Sequence, residues 1–303
     1  MTTSADALGE QLTLTGLPAP RARRPQAATA VEPAPLLPVA RVAIDLPPAH
    51  LDRLFEYVVP AALDDVARPG TRVKVRFGRQ DVDGYLIDRA ATAEHSGPLA
   101  PLRKVVSGEV VLIAEVRRLA RAVADRYAGT LADVLRLAVP PRHARVEGED
   151  HPRVDGEEQA PGPRSSLTPS GTAWEDYRGG GAFLAHLTAG HAPRAVWSAL
   201  PGGPGHGWAD AIAQVVVATV IGGRGALVVV PDARDVDQVA AALETAGLPA
   251  WVPGGGGFAR LTADEGPAQR YRSFLAVLRG DACVAIGTRA AVWAPVAALG
   301  LVV

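Results

Sequence analysis

The chain has 303 residues, 48% of them apolar, with 31 basic and 32 acidic side chains giving a formal net charge of −1. That length gives room for about two domains of roughly 150 residues each, and the balanced charge excludes a polycationic protein, so any nucleic-acid contact has to come from a local patch. The single cysteine, Cys283, excludes an internal disulfide and any multi-cysteine zinc site, and no apolar run approaches the roughly 18 residues of a membrane span.

The N-terminus lacks a charged start followed by an apolar block, so no secretory signal is expected and the cytoplasm is the expected compartment. Residues 1–40 are rich in Ala, Pro, Thr and Arg without a sustained period, and read as a disordered arm. Its RARR at 21–24 reads first as a solvated tail and second as a phosphate contact. RVAIDLP, LFEYVVP, TRVKVRF, DGYLIDRA and LRKVVS, between residues 41 and 107, read as short strands bounded by Pro and Gly. Residues 110–127 and 130–139 repeat apolar side chains at helical spacing, the second run stopping at Pro140–Pro141. Together these predict a small α+β domain over 41–142. Residues 143–192 turn polar and irregular, a linker with a small helical piece in WEDYRGGGAFLAHL.

From Ala195 the pattern alternates strand and helix. AVWSAL, GALVVVP, AWVPG, CVAIG and LGLVV are the expected strands. ADAIAQVVVATVI, a segment capped by Asp232, and AQRYRSFLAVLRG are the expected helices. Apolar β-branched runs between helices predict a parallel sheet covered on both faces over 193–303. Because LGLVV runs to the last residue, the sequence reads as a piece of a longer protein or as a truncated gene product.

LPGGPGHGWADAI at 200–212 has the setting of a phosphate-binding loop: Gly202, Gly203, Gly205 and Gly207 between an expected strand and a helix. A working loop needs a lysine for the β/γ charge and a hydroxyl for magnesium. Neither follows the glycines, and the only lysines of the chain are Lys74 and Lys104. Arginine's planar fork does not replace the lysine. The loop therefore reads as degenerate, without ATP or magnesium as expected cofactors. No catalytic residue is assigned. His143, His151, His186, His191 and His206 lack metal-ligand spacing with an acidic pair, so no metal is assigned.

Several strings share a further likeness. RVAIDLPPAHLDRLFEYVVP, PGTRVKVRFGRQDVDGYLI, PLRKVVS and RYAGTLADVLRLAVP resemble the N-terminal DNA-binding domain of the primosomal protein N′ (PriA) family of replication-restart helicases. ALVVVPDARDV and RYRSFLAVLRGDACVAIGTRAAVWAPVAALGLVV are similar to segments of that family's helicase core. The resemblance covers about 41–142 and 193–303. It implies a degenerate RecA-like α/β domain, with the winged-helix region reduced to a remnant within 143–192. It also implies a 3′-end pocket on Phe55, Glu56, Tyr57, Gly78 and Arg103. There an aromatic stacks on the last base, a carboxylate accepts the terminal hydroxyl proton, and an arginine holds the last phosphate. Glu56 departs from the family's usual aspartate by one methylene. The alternative for Phe55 and Tyr57 is core packing, since alternate strand residues share a face.

Lys74, Arg76 and Arg79 are further candidates for the DNA backbone, with a solvated strand face as the alternative, and Arg289 is another, with a strand cap as its alternative. The family's zinc module has no counterpart in this sequence. The implied function is a nucleoid-associated protein that binds forked or single-stranded DNA and recruits primosome and replisome proteins without unwinding. The alternatives are an active ATP-dependent 3′-to-5′ helicase and a purely structural module.

Overall fold

The computed structural model describes residues 31–149, 167–168, 170–200, 202–203 and 205–303. The RARR stretch and the polar run 150–166 lie outside these residues.

Five antiparallel strands come first: β1 (Val39–Ile44), β2 (Leu54–Val58), β3 (Thr71–Phe77), β4 (Gln80–Ala90) and β5 (Lys104–Val110). Their order in the sheet is β2-β1-β4-β3-β5. The residues entering β5 close this sheet on itself. The Val58 amide donates to the Ala100 carbonyl, and the Leu102 amide donates to the Val58 carbonyl, both at 2.9 Å. The result is a small, partly closed barrel, its two end strands joined at one bridge, Val58 to Pro101. Alternation in TRVKVRF decides which side chains go inside. Val73 and Val75 are fully buried with Val42, Val59 and Leu86, while Arg72, Lys74 and Arg76 point outward.

The expected arm is shorter than its composition suggested. Strand β1 begins at Val39, and Pro33 already bridges to Pro60. Ala34 is buried and its amide donates to the Val59 carbonyl at 2.8 Å. Arg89 explains why a proline-rich segment is held there: its guanidinium donates to the Leu36 and Leu37 carbonyls and pairs with Asp64.

Helix α1 (Ala114–Arg126) buries Val116, Ala120 and Ala124, one side chain per turn, with arginines on the other side. The Thr130 hydroxyl caps α2 (Leu131–Ala138) by accepting from the Asp133 amide. A short α3 (Ala144–Glu147) and α4 (Gly180–Thr188) follow.

The second sheet is parallel, with strands β6 (Gly225–Val229), β7 (Phe258–Leu261), β8 (Val284–Gly287) and β9 (Leu299–Val302) in the order β7-β8-β6-β9. Its helices are α5 (Trp208–Ile221), α6 (Ala233–Thr245) and α7 (Pro267–Arg279). Asp232 caps α6 through the amides of Arg234 and Asp235.

Two expected strands are corrected. Ala195–Leu200 forms no strand: Val196 is fully exposed, and Trp197 anchors the segment, packing 5.4 Å from Trp174. Tyr177 also holds it, its hydroxyl accepting from the Leu200 amide. AWVPG gives a single bridge, Ala250 to Phe258, and the strand there is FARL after the glycine run.

The barrel and the parallel sheet share one apolar core. Ala43 and Ile87 from the barrel, Leu135 from α2, Tyr271 and Phe274 from α7, and Leu227 from β6 all belong to it. Ion pairs rim it, Glu109 with Arg279 at 2.9 Å and Glu149 with Arg272 at 2.5 Å. The Tyr271 hydroxyl donates to Glu147 at 3.1 Å. Burial, the largest influence, pushes this phenol up to about 12, so it stays a neutral donor.

Candidate nucleic-acid interface

A band of cations crosses the outer face of the barrel beside the β3–β4 hairpin. Lys74 and Arg76 face outward from β3, with Arg103 and Lys104 entering β5 next to them. Arg79 is exposed in the two-residue turn, where Gly78 has φ +59 and no neighbour within 4 Å of an added Cβ. That positive φ in the first turn position is what a tight hairpin asks of glycine. Cross-strand register puts Asp83 opposite Lys74 and Asp81 opposite Arg76. The separations are 3.1 Å for Lys74–Asp83, 3.3 Å for Arg76–Asp81 and 3.7 Å for Arg103–Asp81. Five cations thus face two carboxylates, a local surplus of three charges. These pairs are solvent-exposed and weak, so phosphates can displace them.

The five pocket residues are only partly brought together. Phe55, Gly78 and Arg103 are linked only through neighbours at the β3–β4 turn. The Phe55 ring packs edge-on against Phe77, centroids 5.1 Å apart, Gly78 follows Phe77, and Arg103 reaches Asp81 just past the turn. Glu56 and Tyr57 do not join them. Tyr57 points into the barrel at 4% exposure, and burial pushes its phenol pKa up. Its ring is therefore core rather than an open stacking surface, as strand alternation allowed.

Glu56 lies outside. Its carboxylate accepts from the Glu94 and His95 amides, both at 2.9 Å, and faces Arg41 at 3.4 Å. The His95 hydrogen bond is the largest influence holding its pKa below the usual value. Partial burial opposes it, and the Glu94 amide and Arg41 reinforce it. Glu56 is thus a fixed anion whose oxygens are already engaged by two amides and Arg41.

Sequence reasoning missed five participants, one of them Lys104 of the cation band, opposite Lys74. Arg41 sits opposite Glu56 in the strand register. The Arg53 guanidinium lies 4.8 Å over the Phe55 ring. Asp81 and Asp83 partly neutralise the cation band. Alternation within RVAIDLP and LFEYVVP gave each strand's faces, but not the register that pairs them.

The glycine loop leads into α5, where the Gly207 amide donates to Asp210 at 3.1 Å. The helix therefore spends an N-terminal amide on its own carboxylate, which also sets a negative charge where a phosphate would sit. Gly202, Gly203 and Gly205 precede it without a preceding strand. Arg289 is exposed at the start of a short helical turn after β8, on the parallel-sheet unit and not on the barrel. Among the described residues, no group of three or more His, Cys, Asp or Glu is arranged to hold a metal, and no helix is long and apolar enough to cross a membrane.

The barrel and its flanking helices coincide with a known domain. Residues 41–140 match the family model described as the 3′ DNA-binding domain (3′BD) of PriA. The chain is 48% identical over 256 residues to the "Probable replication restart protein PriA" of Mycobacterium tuberculosis, strain H37Rv, covering 84% of this chain and 36% of that protein. The same identity and coverage hold for the Mycobacterium bovis protein of that name. For the Mycobacterium leprae protein the match is 49% over 254 residues, 84% of this chain and 37% of the relative. The chain thus spans little more than a third of the length of these relatives. With the match running from the barrel into the parallel sheet, the chain belongs to the PriA family of replication restart proteins.

Proposed function

We propose that this chain is the fork-recognising part of a replication restart protein, gripping the 3′ end of the leading strand at a stalled fork. The observation that carries the reading is the cation band on the barrel, within the stretch that matches a 3′ DNA-binding domain. Lys74, Arg76, Arg79 and Arg103 take successive phosphates. Phe55 offers a ring edge at the barrel's end, Gly78 lets the strand approach, and Glu56, from the outer face of β2, accepts a hydrogen bond from the terminal hydroxyl in place of one of its backbone donors. Tyr57 serves by supporting Phe55 from inside the barrel.

The parallel sheet is a RecA-like domain without motor activity in this reading, since its glycine loop has neither lysine nor hydroxyl and its helix is capped by Asp210. It acts as a platform for branched DNA and for primosome and replisome proteins, in the cytoplasm at the nucleoid. Arg289 at its strand ends contacts single-stranded DNA.

Charge reversal tests the DNA-binding half of the proposal. Binding of a labelled fork is measured by anisotropy across a salt series. Arg76→Glu with Arg103→Glu is expected to weaken binding at least tenfold, and each lost phosphate contact lowers the salt slope by about one. Unchanged affinity and slope in the folded double variant would remove the band from the interface.

A further inference from the structure

Helix α4 ends in a cap that brings two histidines together. Gly190 adopts φ +78, the left-handed conformation that closes a helix. The His191 amide donates to the His186 carbonyl and the Gly190 amide to the Leu187 carbonyl, both at 2.9 Å. These are the paired hydrogen bonds of a Schellman cap, and they fix the residue beyond the glycine against the one five positions earlier. That position usually holds an apolar contact. Here it holds two imidazoles, both on exposed residues, with Nδ1 atoms 3.1 Å apart and ring centroids 5.3 Å apart.

The separation has a chemical meaning. Two nitrogens bound to one tetrahedral ion at about 2.0–2.1 Å stand about 3.3 Å apart. The cap therefore holds both Nδ1 atoms near the spacing of a shared metal before any metal arrives. In the neutral pair one Nδ1–H donates to the other nitrogen. Coordination frees that contact, the proton moving to Nε2 of the same ring, so both lone pairs face the ion. Because both residues are exposed, the imidazoles keep solvent access and an ion can enter directly. We infer that His186 and His191 form a two-imidazole site for a divalent transition metal such as nickel, copper or zinc, with water completing the shell. Magnesium and calcium, which prefer oxygen ligands, are not bound there. The HLTAGH spacing is not one that places two side chains on a helix face, so the site arises only through the left-handed cap.

The test is calorimetric titration of nickel(II) into the tag-free chain, with circular dichroism melting of the metal-free protein as a folding control. One equivalent is expected to bind, at least tenfold more weakly in His186→Gln or His191→Gln. Gly190→Ala keeps both imidazoles but opposes the left-handed cap, and is expected to weaken binding too. Added nickel raises the melting temperature of the original chain and not of the double Gln variant. Equal nickel affinity in the original chain and a folded His186→Gln/His191→Gln variant would overturn the assignment, as would undiminished binding by a folded Gly190→Ala chain whose helix cap has opened.

Discussion

Glu56 shows how much one side chain's surroundings decide. Two backbone amides and Arg41 hold it as a carboxylate, with its pKa lowered from the ordinary 4.5. A lowered folded pKa means that its contribution to stability is present above pH 4.5 and is lost as pH falls through the folded value. Melting curves of the original chain and Glu56→Gln should therefore differ by roughly 1–2 kcal/mol at neutral pH and converge in acid. A constant difference down to pH 3 would mean that the charge does not tether the 94–95 segment. The opposite orientations of Glu56 and Tyr57 were legible in LFEYVVP, because strand residues alternate. What was not legible was Arg41 as partner and the closure through Ala100–Leu102, since register and closure depend on residues far apart in the chain.

At the scale of elements, the strong periodic segments read correctly, as did the apolar runs GALVVVP, CVAIG and LGLVV, while AVWSAL and AWVPG did not. The alternation of TRVKVRF and the helical spacing of 114–126 each bury one face, and that burial is enough to select a conformation. AVWSAL carries no such pattern, and a six-residue apolar run fits a buried strand and an anchored coil equally well. Trp197, drawn to the Trp174–Tyr177 aromatic cluster, settles it as coil. The glycine loop was legible for what it lacks, and the structure adds Asp210 at the start of α5. Phosphate release with magnesium-ATP should therefore stay at background when fork DNA is added. DNA-stimulated turnover above about 1 s⁻¹, within the ordinary enzyme range, would contradict the degenerate reading.

The molecule as a whole is less divided than its sequence suggests. Composition points to two domains joined by a polar linker, yet α1, α2 and α7 merge the barrel and the parallel sheet into a common core, rimmed by Glu109–Arg279. That pair is mostly buried, with side chains 19% and 14% exposed. Arg279→Glu or Glu109→Arg alone should each cost roughly 1.5–3 kcal/mol, and the exchanged double variant should recover much of that loss. Scanning calorimetry should show one unfolding transition for the original chain; two separate transitions would mean that the shared core does not couple the halves.

The barrel's reading as a holder of DNA ends is tested most directly by comparing two forks that differ only at the leading-strand terminus, one with a 3′-hydroxyl and one with a 3′-phosphate. The hydroxyl end should bind at least tenfold more tightly, a difference of about 1.4 kcal/mol, and Glu56→Gln should erase most of that preference. Equal affinity for both ends in the original chain would contradict 3′-end recognition.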